Sequence, residues 1–98
     1  MKKIKHIAEQ IEEELHSAED YAKCAMRLPD SDQELATVYK QLAETELGHV
    51  GKLHAQVVRI IKAYKATGNE TPAAMQAVWD WEHEKMIDHE ARIKAMLK

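Results

Sequence analysis

Glu46 and His49 are the residues of this 98-residue chain whose types and spacing point most directly to chemistry. On a helix, side chains three positions apart lie on the same face, so both can reach one point. A carboxylate oxygen and an imidazole nitrogen are suitable ligands for a transition-metal ion. Both residues interrupt an apolar stripe, where a carboxylate is costly unless a partner neutralises it. The spacing indicates a metal site, with a Glu–His hydrogen bond or a solvated gap in the stripe as the alternatives. The stripe comprises Leu35, Tyr39, Leu42, Leu53, Val57, Ile60 and Tyr64.

Glu14 is the third candidate ligand. If the chain reverses near residue 31, position 47 comes level with position 15, and Glu14 then lies opposite the turn that carries Glu46 and His49. Three ligand-type side chains would converge there. The alternative is that Glu14 is a surface residue of the acidic run Glu12–Glu14.

The elements that must position these residues are helices. Breakers fall in two places, around Pro29 and around Gly68 to Pro72, and period-two alternation is scarce. Ser31 followed by Glu34 fits a capping box, and Thr71 fits a second N-cap. We predict an all-α single domain over residues 1–98, with helices at about 3–28, 32–67 and 72–97. The first two form a long antiparallel hairpin.

A hairpin of two helices cannot cover its own apolar faces. One Glu from the first helix and Glu-x-x-His from the second also supply half of a dinuclear carboxylate site, which takes two such sets. A twofold axis relating two copies would complete both the four-helix bundle and the ligand set. We therefore predict a homodimer or a higher homo-oligomer.

The segments Glu14-Leu-His-Ser-Ala-Glu-Asp-Tyr21 and Leu42-Ala-Glu-Thr-Glu46-Leu-Gly-His49 resemble the first half of rubrerythrin and related ferritin-like di-iron proteins. The resemblance implies a ferritin-like fold with Glu14, Glu46 and His49 as iron ligands. Rubrerythrins typically also carry a second hairpin with its own Glu-x-x-His and a cysteine-rich iron domain, whereas here no Glu-x-x-His follows His49 and Cys24 is the only cysteine. The chain looks more like half-bundle members such as encapsulated ferritins, which share a di-iron centre across a dimer.

Further polar residues flank these candidates. Glu82 and His89 interrupt the apolar stripe of the third helix, and each is expected to orient a ligand, to bind at a further site or simply to find polar contacts. The segment around Glu82 faintly resembles a rubrerythrin helix in which a Glu binds metal. Tyr21 and Tyr39 are expected beside the centre, as hydrogen-bonding or redox-active neighbours or as core residues.

Composition excludes several other functions. Fourteen basic and seventeen acidic residues are interleaved without a basic stripe, so we expect no nucleic-acid partner. No run is long and apolar enough to span a membrane, and we predict a cytoplasmic protein with its lone Cys24 reduced.

The leading functional expectation is a di-iron carboxylate protein, a ferroxidase-type oxidoreductase that handles iron or peroxide, with two iron ions per dimer. Its catalytic residues would be the metal ligands themselves. A partner shell or an electron donor cannot be identified from the sequence. The alternatives are a non-catalytic site for Zn²⁺ or Mn²⁺ and a metal-free helical oligomerisation module.

Overall fold

The computed structural model describes residues 2–67 and 73–98, apart from the side chains of residues 73–75 and 78. Three helices account for nearly all of these residues: α1 (Lys2–Arg27), α2 (Gln33–Ala66) and α3 (Ala73–Met96). A short 3-10 turn, Asp30–Asp32, connects the first two. The all-α prediction is confirmed for the described residues, and the start of α2 and the ends of all three helices lie within one residue of the predicted positions.

The connection between α1 and α2 is built around Pro29. Its backbone is extended (φ −68°, ψ 156°), and a residue that precedes proline is disfavoured in the helical conformation, so α1 ends at Arg27. The predicted capping box is wrong. Ser31 lies inside the 3-10 turn, and Asp32 takes the N-cap position of α2 without a side-chain cap. Gln33 Nε2 instead donates to the carbonyl oxygen of Asp30 at 3.2 Å. The predicted caps at residues 68–72 lie outside the described residues.

α1 and α2 form the predicted antiparallel hairpin, and the chain measures 59 Å in its longest dimension. Where the two helices face each other, Ala18, Ala22 and Ala43 are fully buried. Their small side chains let the helices approach closely. Larger apolar residues extend the same core towards the open end of the hairpin, namely Ile4, Ile11, Leu15, Leu47, Val50 and Val57.

α3 packs along one side of this hairpin. Trp79, Met86 and Ile93 are its buried residues and belong to the same core cluster as the hairpin residues. His83 contacts His54 of α2, and His89 contacts Glu19 of α1, so α3 lies over the groove between both helices. The described helices include none that is both long and apolar enough to cross a membrane.

α2 is apolar on two sides. The chain buries the side formed by Ala36, Ala43, Leu47 and Val50. The stripe that contains Glu46 and His49 is only partly covered. Leu35, Val38 and Leu42 on that side are 38%, 43% and 39% exposed. Because α3 covers the other groove of the hairpin, this face remains open in the single chain.

Gly48 gives a first prediction, because it is exposed in the middle of α2. A Cβ added at Gly48 or Gly51 meets no atom within 4 Å beyond the neighbouring backbone, so no packing within the described chain requires glycine at either position. Gly48→Ala should stabilise the protein by about 0.5–1 kcal/mol, since alanine loses less backbone entropy in a helix. Urea denaturation followed by circular dichroism measures the change, and a destabilised variant would contradict it.

Candidate metal centre

The structure brings Glu14, Glu46 and His49 together. His49 Nδ1 lies 3.3 Å from Glu14 Oε2 and 3.8 Å from Glu46 Oε2. One ligand atom from each residue can be chosen so that all three lie within 4.8 Å of one another. The predicted convergence of these side chains across the hairpin therefore exists in the folded chain.

The helices position the three side chains in a simple way. Glu46 and His49 project one turn apart from the same face of α2. Glu14 directly precedes the buried Leu15 on α1, and Leu15 belongs to the same core cluster as Leu47, which directly follows Glu46. Packing in that cluster fixes the register of the two helices, and the register sets the distance between the ligands.

The two carboxyl groups influence each other's protonation. The hydrogen bond with Glu14, helped by partial burial and by the negative charge of Glu14, raises the pKa of Glu46. The same hydrogen bond lowers the pKa of Glu14; partial burial opposes this shift and His49 adds to it. The two carboxyl groups therefore favour a shared proton, with Glu46 the one that is protonated first as the pH falls. A metal ion would supply positive charge at the same place.

These distances and donor types fit a metal ion. Two donors bound at about 2.1 Å to one ion are at most about 4.2 Å apart. The separations of 3.3 and 3.8 Å from His49 Nδ1 lie within that limit. One imidazole and two carboxylates suit Fe, Mn or Zn, and three side chains leave coordination positions for other ligands.

The three side chains are less buried than the sequence suggests. The side chains of His49, Glu14 and Glu46 are 45%, 29% and 23% exposed, and among the described residues no polar side chain is fully buried. The penalty for a buried charge therefore does not arise in the single chain. It would arise only where another molecule covers this face.

The tyrosines lie further along the same hairpin. The rings of Tyr21 and Tyr39 pair across α1 and α2, with centroids 6.3 Å apart and planes tilted by 31°. Both are half-buried, and they extend the polar and aromatic strip that begins at Glu14. The structure shows that Tyr21 and Tyr39 contact each other. Their role as hydrogen-bonding or redox-active neighbours of a metal ion stays a prediction.

The two α3 residues lie elsewhere. Glu82 lines a groove between α1 and α3, together with Trp79, Met86 and Ile11. His89 Nε2 lies 3.3 Å from Glu19 Oε2 of α1. Neither belongs to the group formed by Glu14, Glu46 and His49.

A second group of ligand-type residues was missed from the sequence. His16, Glu19 and His89 also offer ligand atoms that lie within 4.8 Å of one another. The signal was present, since His16 and Glu19 lie three positions apart on α1, the same spacing as Glu46 and His49. The His16 ring is exposed, yet its centroid lies 5.4 Å from that of His89.

A third polar contact joins α2 and α3. His54 Nε2 and His83 Nε2 are 3.0 Å apart, and Trp79, His83 and His54 stack with nearly parallel rings. His83 is therefore part of the packing between α2 and α3. Burial, followed by the nearby His83, lowers the pKa of His54. Burial and the contact with His83 therefore favour the neutral form of the His54 imidazole.

Comparison with known proteins does not name a family. No protein-family model matches the chain, and searches of curated proteins and of solved structures find no significant match.

Proposed function

We propose that this chain is a ferritin-like di-iron carboxylate protein that oxidises Fe²⁺, with the metal centre shared between two copies. The observation that supports the proposal is the convergence of Glu14, Glu46 and His49 at separations of 3.3 and 3.8 Å. Two copies would supply four carboxylates and two imidazoles. This is the set that ferritin-like di-iron bundles use.

The open face of the hairpin supports the dimer. Leu35, Val38 and Leu42 are exposed at helical spacing, and Glu46 and His49 continue the same stripe. A twofold interface places the same patch of each copy against the other. The leucines would then be covered and the two ligand sets would face each other.

The chemistry of the donors favours iron. Carboxylate oxygens are hard ligands that accommodate the ferric state, and a carboxylate can bridge two ions. Each Fe²⁺ that is oxidised releases one electron. Two such ions supply the two electrons that convert oxygen, with two protons, to hydrogen peroxide, or peroxide, with two protons, to two waters. In this proposal the carboxylates of Glu14 and Glu46 and the imidazole of His49 would hold the two ions, which would supply the redox chemistry when bound.

His49→Ala tests this function. The variant should oxidise added Fe²⁺ with oxygen at least about tenfold more slowly than the wild-type protein, because a ligand to each iron is lost. The formation of Fe³⁺ is followed by its absorbance, alongside oxygen consumption. His6→Ala is the matched control, since His6 is an exposed histidine of α1 outside both ligand groups.

Two results would contradict the proposal. One is a wild-type protein that oxidises Fe²⁺ no faster than buffer while binding Zn²⁺ or Mn²⁺, which would indicate a non-catalytic site. The other is a wild-type protein that binds no metal but still dimerises, which would indicate an oligomerisation module.

The dependence of iron binding on pH gives a further prediction. Metal competes with a proton for the Glu46 carboxylate, and the hydrogen bond to Glu14 raises the pKa of Glu46. Affinity for Fe²⁺ should therefore fall as the pH drops through the raised pKa of Glu46, by up to about tenfold per pH unit for one displaced proton. Anaerobic titration at several pH values measures this. An affinity that stays constant as the pH is lowered to the point where both carboxyl groups are protonated would contradict it.

A further inference from the structure

We infer that His16, Glu19 and His89 form a second metal site, separate from the shared centre, that binds one divalent transition-metal ion such as Zn²⁺ within each chain. The inference does not rest on the di-iron proposal. It starts from the contact between His89 Nε2 and Glu19 Oε2 at 3.3 Å, which joins α3 to α1. His16 lies one helical turn from Glu19, and its ring meets that of His89 edge to face, with centroids 5.4 Å apart.

The geometry suits one ion. A ligand atom from each of the three residues lies within 4.8 Å of the others. Donors on a common ion are at most about 4.2 Å apart, and the Glu19–His89 pair already meets this limit. The His16 side chain is 63% exposed, so its ring can turn towards an ion without breaking core packing. His16 Nε2 lies 3.9 Å from Glu12 Oε1 on the protein surface. Breaking such an exposed ion pair costs little free energy.

The donor types also suit such an ion. Two imidazoles and one carboxylate are the protein ligands of open zinc sites and of non-haem iron sites. Glu19 is held ready as an anion: burial raises the pKa of its carboxyl, but the hydrogen bond from His89 and the charges of Lys23, His89 and Arg92 together outweigh that and lower the pKa. No proton has to be displaced from this carboxylate before a cation binds.

A groove beside the site gives access to the open coordination positions. It has a volume of about 590 Å³, runs between α1 and α3, and includes His89 in its lining together with Trp79, Met86 and Arg92. Three protein ligands leave at least one position for water or for a small ligand from this groove.

This site is distinct from the shared centre. On α1, Glu14 and His16 project about 200° apart, so they lie on nearly opposite sides of the helix. α3, which carries His89, covers the groove of the hairpin that the shared centre does not use. Formation of a dimer through the open face would leave His16, Glu19 and His89 as they are in the single chain.

The consequence for the structure is that an ion would tie α3 to α1. Glu19 and His89 are 70 positions apart in sequence. They come together only in the folded chain, so the ion binds the native state in preference to the unfolded one. Docking of α3 would then depend on metal.

Titration calorimetry with Zn²⁺ tests the site in the double variant Glu46→Ala/His49→Ala, in which the shared centre is removed. We expect this protein to bind one Zn²⁺ per chain. Adding His89→Ala should weaken that binding by at least roughly 100-fold, since an ion loses a direct ligand. Adding His6→Ala instead should leave the affinity unchanged. In NMR spectra, Zn²⁺ should shift the ring signals of His16 and His89 and leave those of His6 in place.

Two outcomes would overturn the inference. The double variant binds no Zn²⁺, or the His89→Ala triple variant binds it as tightly as the double variant does. Circular dichroism monitors the helices of each variant. If His89→Ala loosens α3, Glu19→Gln tests the site instead. Glutamine keeps the size of the side chain and a hydrogen-bonding group but removes the charge. We expect Glu19→Gln to weaken Zn²⁺ binding as much as His89→Ala does. Since the shared centre is absent from every protein in this series, failure here leaves the di-iron proposal untouched.

Discussion

Glu46→Gln is expected to change stability in opposite directions with and without iron. In the metal-free protein, the amide can donate to Glu14 at every pH, as the protonated Glu46 carboxyl does. A group with a raised pKa contributes stability that is fully present at low pH and is lost as the pH rises through its folded-state value. Above the folded-state pKa of Glu46, the wild-type pair therefore lacks stability that the glutamine variant keeps. The thermal midpoint of the metal-free variant should equal or exceed that of the wild type, with the gap closing towards acid pH.

With iron bound, the wild type should be more stable than Glu46→Gln. A ligand present at 100 times its dissociation constant stabilises the native state by about 2.7 kcal/mol. For a domain of this size, that corresponds to a rise of roughly 10–20 °C in the thermal midpoint. Wild-type protein with anaerobic Fe²⁺ should show this rise, whereas Glu46→Gln should show little of it, because a neutral amide is a poor ligand. Scanning calorimetry with and without Fe²⁺ provides both measurements.

Glu44→Gln is the matched control. Glu44 is exposed on the same helix and projects about 160° away from Glu46, so the variant loses one carboxylate without touching the ligands. Its response to Fe²⁺ should equal that of the wild type. If Glu46→Gln gained as much from Fe²⁺ as the wild type, the carboxylate of Glu46 would not be a ligand.

Val38→Lys is expected to separate the two copies of the proposed dimer. Val38 is 43% exposed and lies between Leu35 and Leu42 on the open face, so lysine costs the single chain little. In a dimer that covers this face, a charge without a partner would be buried. The dissociation constant of the dimer should rise at least tenfold, and oxidation of Fe²⁺ should fall with it. Sedimentation velocity over a dilution series measures the effect.

Thr37→Lys controls for the added charge. Thr37 is the neighbouring β-branched residue; it is exposed and projects from a different side of α2. This variant should dimerise as the wild type does. If Val38→Lys and Thr37→Lys behaved alike, the interface would lie elsewhere, and the exposed Trp81 and Ile87 of α3 would be the next surface to test.

The sequence predicts the hairpin and the convergence of Glu14, Glu46 and His49 well, because both depend on local regularities. The spacing of Glu46 and His49 places them on one face of α2 whatever that face packs against. The position of the Pro29 turn then sets which residue of α1 lies opposite, and this leads to Glu14. Helix ends follow from proline and from the breaks in the apolar pattern. The N-cap of α2 is an exception, since the 3-10 turn of Asp30–Asp32 replaces the expected cap at Ser31.

The choice between the two faces of α2 could not be predicted in the same way. Leu35 and Leu42 on one side and Leu47 and Val50 on the other are equally apolar, so periodicity alone does not say which side the chain buries. The position at which α3 docks decides which side of α2 is buried. That docking depends on contacts between residues far apart in sequence. The contact between Glu19 and His89 was missed for the same reason, since α1 shows no sign of which helix will cover it.

The mass of the protein loaded with iron tests the shared centre most directly. Native mass spectrometry of untagged protein, reconstituted with Fe²⁺ without oxygen, counts chains and ions in one particle. In Glu46→Ala/His49→Ala, bound ions should disappear from the open face and the dimer should weaken. For protein with His89→Ala, which keeps only the proposed shared centre, we predict two chains with two iron ions. A single chain that holds its own iron through Glu14, Glu46 and His49 would contradict the account.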